Sequence, residues 1–208
     1  MVGCSCLFAA TEETLFLQEK NGSDDRLIVT LSSEPKGEEE LQLKLLIDKQ
    51  QIEERIIEMA EQLQKDYEGR SITIVMIMKG SFIFVADLMR HLDIPTRLSF
   101  VQCCSYHGMK KGELSIIGLE NIEVKNRHLL VIDDIFDTGH TLSTVVEALQ
   151  EKGPASIHSL VVLQKEVPRQ ITYLPDYRLF DIENRFIIGY GLDYKQYCRG
   201  LPSIYTVQ

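Results

Sequence analysis

Three carboxylates, Asp133, Asp134 and Asp137, stand within five positions of one another and run directly into Thr138-Gly139-His140-Thr141. Where a helix begins, its first N–H groups lack intrahelical partners, converge on one point and meet the positive end of the helix dipole. That point suits a phosphate. Gly139 allows positive φ and close approach of an anion, and the Thr138 and Thr141 hydroxyls add hydrogen bonds. The carboxylates would repel the same anion, so they need other partners. Sugar hydroxyls, a ring N–H or a divalent cation are the groups a carboxylate binds. The chemistry implied is a ligand carrying a phosphate and a hydroxylated sugar, accompanied by Mg²⁺.

This reading needs a strand before the acids and a helix after them. Leu129 to Ile132 is a short apolar, β-prone run, which predicts a buried strand. Leu142, Val145, Val146 and Leu149 then recur at the spacing of one helix face. Other motifs fail on spacing. An EF-hand needs acids at alternate positions and a distal Glu, and a Walker A loop needs a Gly-Lys pair after a first Gly. A solvated acidic turn, capping the helix through Asp137 or Thr138, is the plain alternative at this point.

At 208 residues with 44% apolar content, the chain is long enough to fill a core and suggests one domain, or one domain with an appendage. Its net charge of -9 argues against nucleic acid or an anionic membrane as the main partner. No apolar run reaches membrane-spanning length, which points to a soluble protein. The opening MVGCSCLFAA has no Lys or Arg before its apolar stretch and meets Glu12 and Glu13 at once, so no signal peptide is expected. Five cysteines without a C-x-x-C pair fit a reduced, cytoplasmic setting, and they read as incidental thiols.

Residues 1 to about 40 read as an extension outside the chemistry, with Leu27 to Leu31 the one strand candidate between loop-like flanks. From Leu41 the chain becomes regular. Asp48 and Gln51 resemble a capping box, opening a helix whose stripe is Ile52, Ile56, Met59, Ala60 and Leu63 and which ends at Gly69. Ile72 to Met78 predicts a buried parallel strand, followed by Lys79-Gly80-Ser81 and a helix from Phe82 to Leu92. That is a second strand, short loop and helix unit able to take an anion. Leu98 to Val101 predicts another strand. Ser105 to Glu113 reads as a hairpin tip or a lid that closes over the site. Gly153-Pro154 stops the organising helix, Ser156 to Leu163 is a further strand, and short strands follow at 179–182, 185–188 and 204–207. Alternating strands and helices argue for a parallel α/β sheet with ligands at the carboxyl ends of its strands.

VIDDIFDTGHT closely resembles the phosphoribosyl diphosphate loop of type I phosphoribosyltransferases, where two adjacent acids follow a hydrophobic strand and precede D-T-G-x-T. Further stretches across residues 42 to 208 resemble one branch of that family, the hypoxanthine-guanine phosphoribosyltransferases. The resemblance implies a central, mostly parallel sheet flanked by helices over 41–208, with a small hood built mainly from about 164–208. It implies that IVMIMKGSFIFVADL carries the pyrophosphate loop, with Lys79 and Gly80 on the leaving group and a cis Lys79–Gly80 bond. Ser105 and Tyr106 match the family's flexible loop. In LQKEVPR, Lys165 falls near the purine 6-oxo group, a donor that rejects an amino group there. In RFIIGYGLDY, Phe186 stacks on the base beside Ile187, and Asp193 ligates Mg²⁺ together with Asp133 and Asp134. In YCRGLP, Arg199 binds pyrophosphate.

The implied activity is transfer of 5-phosphoribosyl from phosphoribosyl diphosphate to a 6-oxopurine, hypoxanthine or guanine. Asp133, Asp134 and the 137–141 loop would hold the phosphoribosyl group, with His140 contributing its backbone N–H and Asp137 facing the purine as general base. The family's members imply a homodimer or homotetramer. The acidic pair departs from the more frequent Glu-Asp. Two other readings stay open: a xanthine-preferring enzyme, and a regulatory nucleotide- and RNA-binding member of the fold.

Overall fold

The computed structural model describes residues 14–18, 26–33, 37–105 and 114–208. Tyr106 and the rest of the expected lid lie outside the described residues, as does the side chain of Ser105. Strands β1 (Thr14–Gln18), β2 (Arg26–Ser33) and β3 (Gly37–Ile47) open the chain. Helix α1 (Lys49–Asp66) follows, with the capping box in place: Gln51 N donates to Asp48 at 2.9 Å and Asp48 N to the Gln51 side chain at 3.1 Å. Next come β4 (Ile72–Met78), α2 (Phe82–His91), β5 (Thr96–Ser105), β6 (Leu114–Ile117), β7 (His128–Phe136), α3 (His140–Gln150), β8 (Ser156–Lys165), β9 (Tyr177–Ile182), β10 (Ile187–Ile188) and β11 (Ile204–Val207).

The larger sheet runs β6-β5-β4-β7-β8-β9, parallel throughout except for the edge strand β6. Alternation along its strands supplies both faces. Ile72, Ile74, Met76, Leu130 and Ile132 pack with α1 and α2, whereas Val75, Ile77, Leu129 and Val131 pack with Leu142, Val145 and Leu149 of α3. Covered on both sides, these strands are the continuous apolar runs visible in the sequence. Among the described residues no helix is long and apolar enough to cross a membrane.

The second sheet, β1-β2-β3-β11-β10, is antiparallel. It corrects the expectation that the fold begins at 41. Glu38 to Glu40, read as loop, lie in β3 and pair with β2, and Leu27, Val29 and Leu31 bury against Leu41, Leu43, Ile188 and Leu201. Three glutamates have poor strand propensity, but pairing with β2 and the burial of Leu41 and Leu43 after them override it. This second sheet therefore joins strands from both ends of the described chain.

Strand β7 also runs further than its apolar stretch suggests. Its pairing with β4 ends at Met76↔Ile132, while β8 continues beside Asp133, Ile135 and Phe136. The acidic pair thus belongs to the strand itself, at the point where one neighbour turns away.

Candidate active site

Chain order along the large sheet reverses between β4 and β7: β5 lies to one side of β4, and β7 to β9 lie to the other. Such a reversal opens a crevice at the carboxyl ends of the two strands. A cavity of about 380 Å³ occupies it. Lys79, Gly80, Asp133, Asp134, Asp137, Thr138, Gly139, Thr141, Asp193 and Arg199 line it, together with Cys103. Stretches far apart in sequence meet here because β4 and β7 end side by side.

Asp133 is 7% exposed and Asp134 is half-buried. Each side chain accepts from the next backbone N–H, Asp134 N to Asp133 at 3.0 Å and Ile135 N to Asp134 at 2.8 Å. Burial raises both carboxyls above the usual carboxylate range, Asp133 well above it because the Asp134 charge adds to the desolvation. Burial, with Asp133 nearby, also pushes the Cys103 thiol up to about 11. A cysteine read as incidental is a wall of the cavity, held as a protonated thiol.

Both loops expected to take an anion are shaped by glycine. Gly139 has φ +82, and a Cβ there would meet Ile171 at 2.3 Å and Phe136 at 2.6 Å. It precedes the first turn of α3, where Ser143 N donates to Gly139 O at 3.0 Å. His140 N lies 3.4 Å from Thr138 Oγ1, so the loop carries its own internal contact, and the His140 side chain is outside the cavity wall. On the other loop the cis peptide is Met78–Lys79, one bond earlier than the expected Lys79–Gly80. Gly80 has a separate requirement: a Cβ on it would meet Asp134 Oδ2 at 1.5 Å. The glycine is needed for contact with the acidic strand, and the turn begins where β4 loses its last pairing, Met78↔Gln102.

The C-terminal segment closes the cavity from above. Gly191 packs on Gly80, so that a Cβ would meet the Gly80 carbonyl at 1.9 Å. Arg199 donates to Gly191 O at 2.7 Å and pairs with Asp193 at 2.5 Å. Lys165, on β8, reaches the cavity through Asp137, Nζ to Oδ2 2.9 Å. Arg169 was given no role in the sequence, yet it donates to the carbonyls of Phe136 (3.3 Å), Asp137 (2.8 Å) and Lys165 and lies 4.8 Å over the Phe136 ring. A lone loop arginine leaves no signal of that bracing.

Phe186 and Ile187 are outside the cavity walls. Phe186 is 57% exposed with its ring edge-on to Tyr194 at 6.0 Å, so one aromatic face is open to solvent. The Ile187 side chain is buried in the main core, so its backbone is the part that remains for a ligand.

Among the described residues no group of three or more His, Cys, Asp or Glu is set to hold a metal alone. The donor set nonetheless fits a hard cation of the Mg²⁺ kind, which binds through one or two carboxylates plus substrate oxygens. Two adjacent carboxyls, Asp133 and Asp134, each accepting from a backbone N–H, supply those oxygens.

Residues 44–195 match the model of the phosphoribosyl transferase domain. The chain is 37% identical over 163 residues to a hypoxanthine-guanine phosphoribosyltransferase of Streptococcus pneumoniae, covering 77% of this chain and 91% of the relative. It is 35% identical over the same length to a hypoxanthine-guanine-xanthine phosphoribosyltransferase of Tritrichomonas foetus, covering 77% and 89%. It is similar to the crystal structure of a hypoxanthine-guanine phosphoribosyltransferase from Bacillus anthracis, with a TM-score of 0.75 and 30% identity over 79% of this chain and 98% of that one.

Proposed function

The chain belongs to the phosphoribosyl transferase domain family, and we propose that it is a purine-salvage enzyme moving 5-phosphoribosyl from phosphoribosyl diphosphate to N9 of hypoxanthine or guanine. The observation that carries this reading is the single cavity between β4 and β7 that gathers two anion loops, an acidic pair, Asp193 and Arg199.

Asp133 and Asp134 hold the ribose hydroxyls, and the 137–141 loop holds the 5′-phosphate through its backbone N–H groups and threonine hydroxyls. Lys79, Gly80 and Arg199 hold the pyrophosphate. Positive charge grows on the ribose as pyrophosphate departs, as in glycoside chemistry, and the surrounding carboxylates favour it. Asp137 faces the purine and takes a proton from its ring, while Lys165, fixed on Asp137, donates to the 6-oxo group. Phe186 offers its open face to the base. Asp133, Asp134 and Asp193 would hold Mg²⁺, which when bound would supply charge neutralisation for the diphosphate.

Free thiols at Cys103, Cys104 and Cys198 support a cytoplasmic location. Exposed Leu98 and Phe100 on β5 and Ile117 on β6 support self-association, as a homodimer or homotetramer.

The test is a steady-state assay with phosphoribosyl diphosphate, Mg²⁺ and each of hypoxanthine, guanine, xanthine, adenine and uracil, repeated with chelator. Turnover of hypoxanthine or guanine with little adenine use, lost on chelation, is expected. The Tritrichomonas relative's name favours xanthine as a further acceptor, and the kcat/KM ratios decide its rank. No turnover by folded protein that binds phosphoribosyl diphosphate would sink the proposal.

A further inference from the structure

Gln196 lies in no sequence motif described above, yet its side-chain carbonyl stands between the two cations assigned to the leaving group. Its Oε1 is 3.1 Å from Lys79 Nζ and 3.5 Å from Arg199 Nη2. Its backbone N donates to Asp193 at 2.8 Å, and the other Asp193 oxygen is on Arg199. Lys79, Gln196, Arg199 and Asp193 therefore form one connected chain of contacts linking the β4 loop to the C-terminal segment.

The backbone is built to aim this side chain. Lys195, Gln196 and Cys198 all have positive φ, of 50°, 75° and 67°. Non-glycine residues seldom adopt that region, and a cluster of them persists only where the surroundings impose it. The surroundings are visible. Tyr194 and Lys195 are drawn outward to Glu39 of β3, at 2.7 Å each. The Tyr194 and Tyr197 backbones bridge one another across the turn, and Gln196 projects from its tip toward Lys79.

The type of acceptor matters. Arg199 is already paired with a carboxylate. A second carboxylate at position 196 would neutralise Lys79 too and would repel an incoming diphosphate. A carboxamide oxygen fixes the ammonium through one N–H and leaves its charge and two further donors. We infer that Gln196 is a positioning residue, a neutral acceptor that holds Lys79 beside Arg199 so that both cations meet the pyrophosphate end of the substrate. This rests on the assignment of Lys79 and Arg199 to pyrophosphate.

The experiment measures the Kd of magnesium pyrophosphate and, separately, of inosine monophosphate, for the full chain and for Gln196→Glu, Gln196→Ala, Lys79→Ala and Arg199→Ala. Gln196→Glu should weaken pyrophosphate roughly tenfold, because the added carboxylate neutralises Lys79 and repels the diphosphate, and Gln196→Ala roughly threefold, the loss of one charge-assisted contact at an exposed site. The KM for phosphoribosyl diphosphate should rise in step, with a smaller change in kcat, and inosine monophosphate, held by the other loop, should move less than about twofold. Gln196→Glu binding pyrophosphate as well as the unaltered chain would overturn the inference, provided Lys79→Ala and Arg199→Ala weaken it. If those two also bind normally, the pyrophosphate assignment itself fails. Equal weakening of pyrophosphate and inosine monophosphate would reduce Gln196 to a structural residue and also overturn it.

Discussion

Asp137 Oδ2 and Lys165 Nζ stand 2.9 Å apart, the carboxylate 47% exposed at the cavity and the ammonium 13% exposed behind it. The pair joins the end of β7 to the end of β8, so the group proposed to take a purine proton and the group proposed to read the 6-oxo position are fixed to one another. Asp137→Asn keeps the shape and removes the base. Its kcat should fall about 10²-fold or more, with a smaller change in the KM for phosphoribosyl diphosphate. Near-normal turnover would remove the base role.

Arg169 holds three carbonyls, those of Phe136, Asp137 and Lys165, that flank this pair. Arg169→Ala leaves those acceptors to find water in a half-buried place. It should cost about 1–3 kcal/mol in denaturant unfolding, the scale of hydrogen bonds to a charged group. The same variant should raise the KM for the purine, because the Asp137 loop loses its brace. Unchanged unfolding with unchanged KM would show the contacts to be idle.

Burial places the Asp133 carboxyl well above its ordinary range, with the Asp134 charge adding to the effect. An acid whose pKa is higher folded than unfolded binds more protons in the native state between the two values. Stability is then greatest below the unfolded value near 3.9 and is lost as pH rises through the folded value. Asp133→Asn removes that cost and keeps an acceptor for Asp134 N. Without Mg²⁺ or substrate, the variant should unfold about 2–8 °C above the unaltered chain at pH 8, corresponding to roughly 1–2 kcal/mol. The gap should shrink toward pH 5 while activity is lost throughout. A gap of the opposite sign, or one independent of pH, would contradict the electrostatic account.

The acidic strand, the glycine turn and α3 were legible because each has a local signature: an apolar run, a residue that permits positive φ, and a helical stripe. The capping box at Asp48 and the closing strand Ile204–Val207 were legible for the same reason. The first part of β3 was not, because Glu38 to Glu40 become a strand only through their partners in β2. Arg169, Cys103 and Gln196 were hidden more completely. Each draws its place from atoms distant in sequence, Lys79 in the case of Gln196, and no periodicity or composition encodes such a neighbour. The inward turn of the Ile187 side chain was hidden for a similar reason: it stands beside an exposed aromatic, and only the packing of a two-residue strand shows that it faces the core.

Gly80 tests whether close main-chain contact at the acidic strand is needed for catalysis. A Cβ would fall 1.5 Å from Asp134 Oδ2 and 2.3 Å from its Cγ, while Asp134 is tied to Ile135 N through its other oxygen. The carboxylate cannot swing aside without giving up that bond, and the loop cannot lift because the Gly80 carbonyl abuts Gly191. Gly80→Ala must therefore push the Lys79 loop and the acidic strand apart. A displacement near 1 Å is enough to lower kcat/KM about 10²-fold where catalysis is positioning, and the overpacking should cost about 1–3 kcal/mol in unfolding. Gly200→Ala is the matched comparison, since nothing lies within 4 Å of its Cβ position. It should stay within about 0.5 kcal/mol of the unaltered chain. If Gly80→Ala turned over as fast as Gly200→Ala, the contact between the two loops would be a feature of packing without bearing on the reaction.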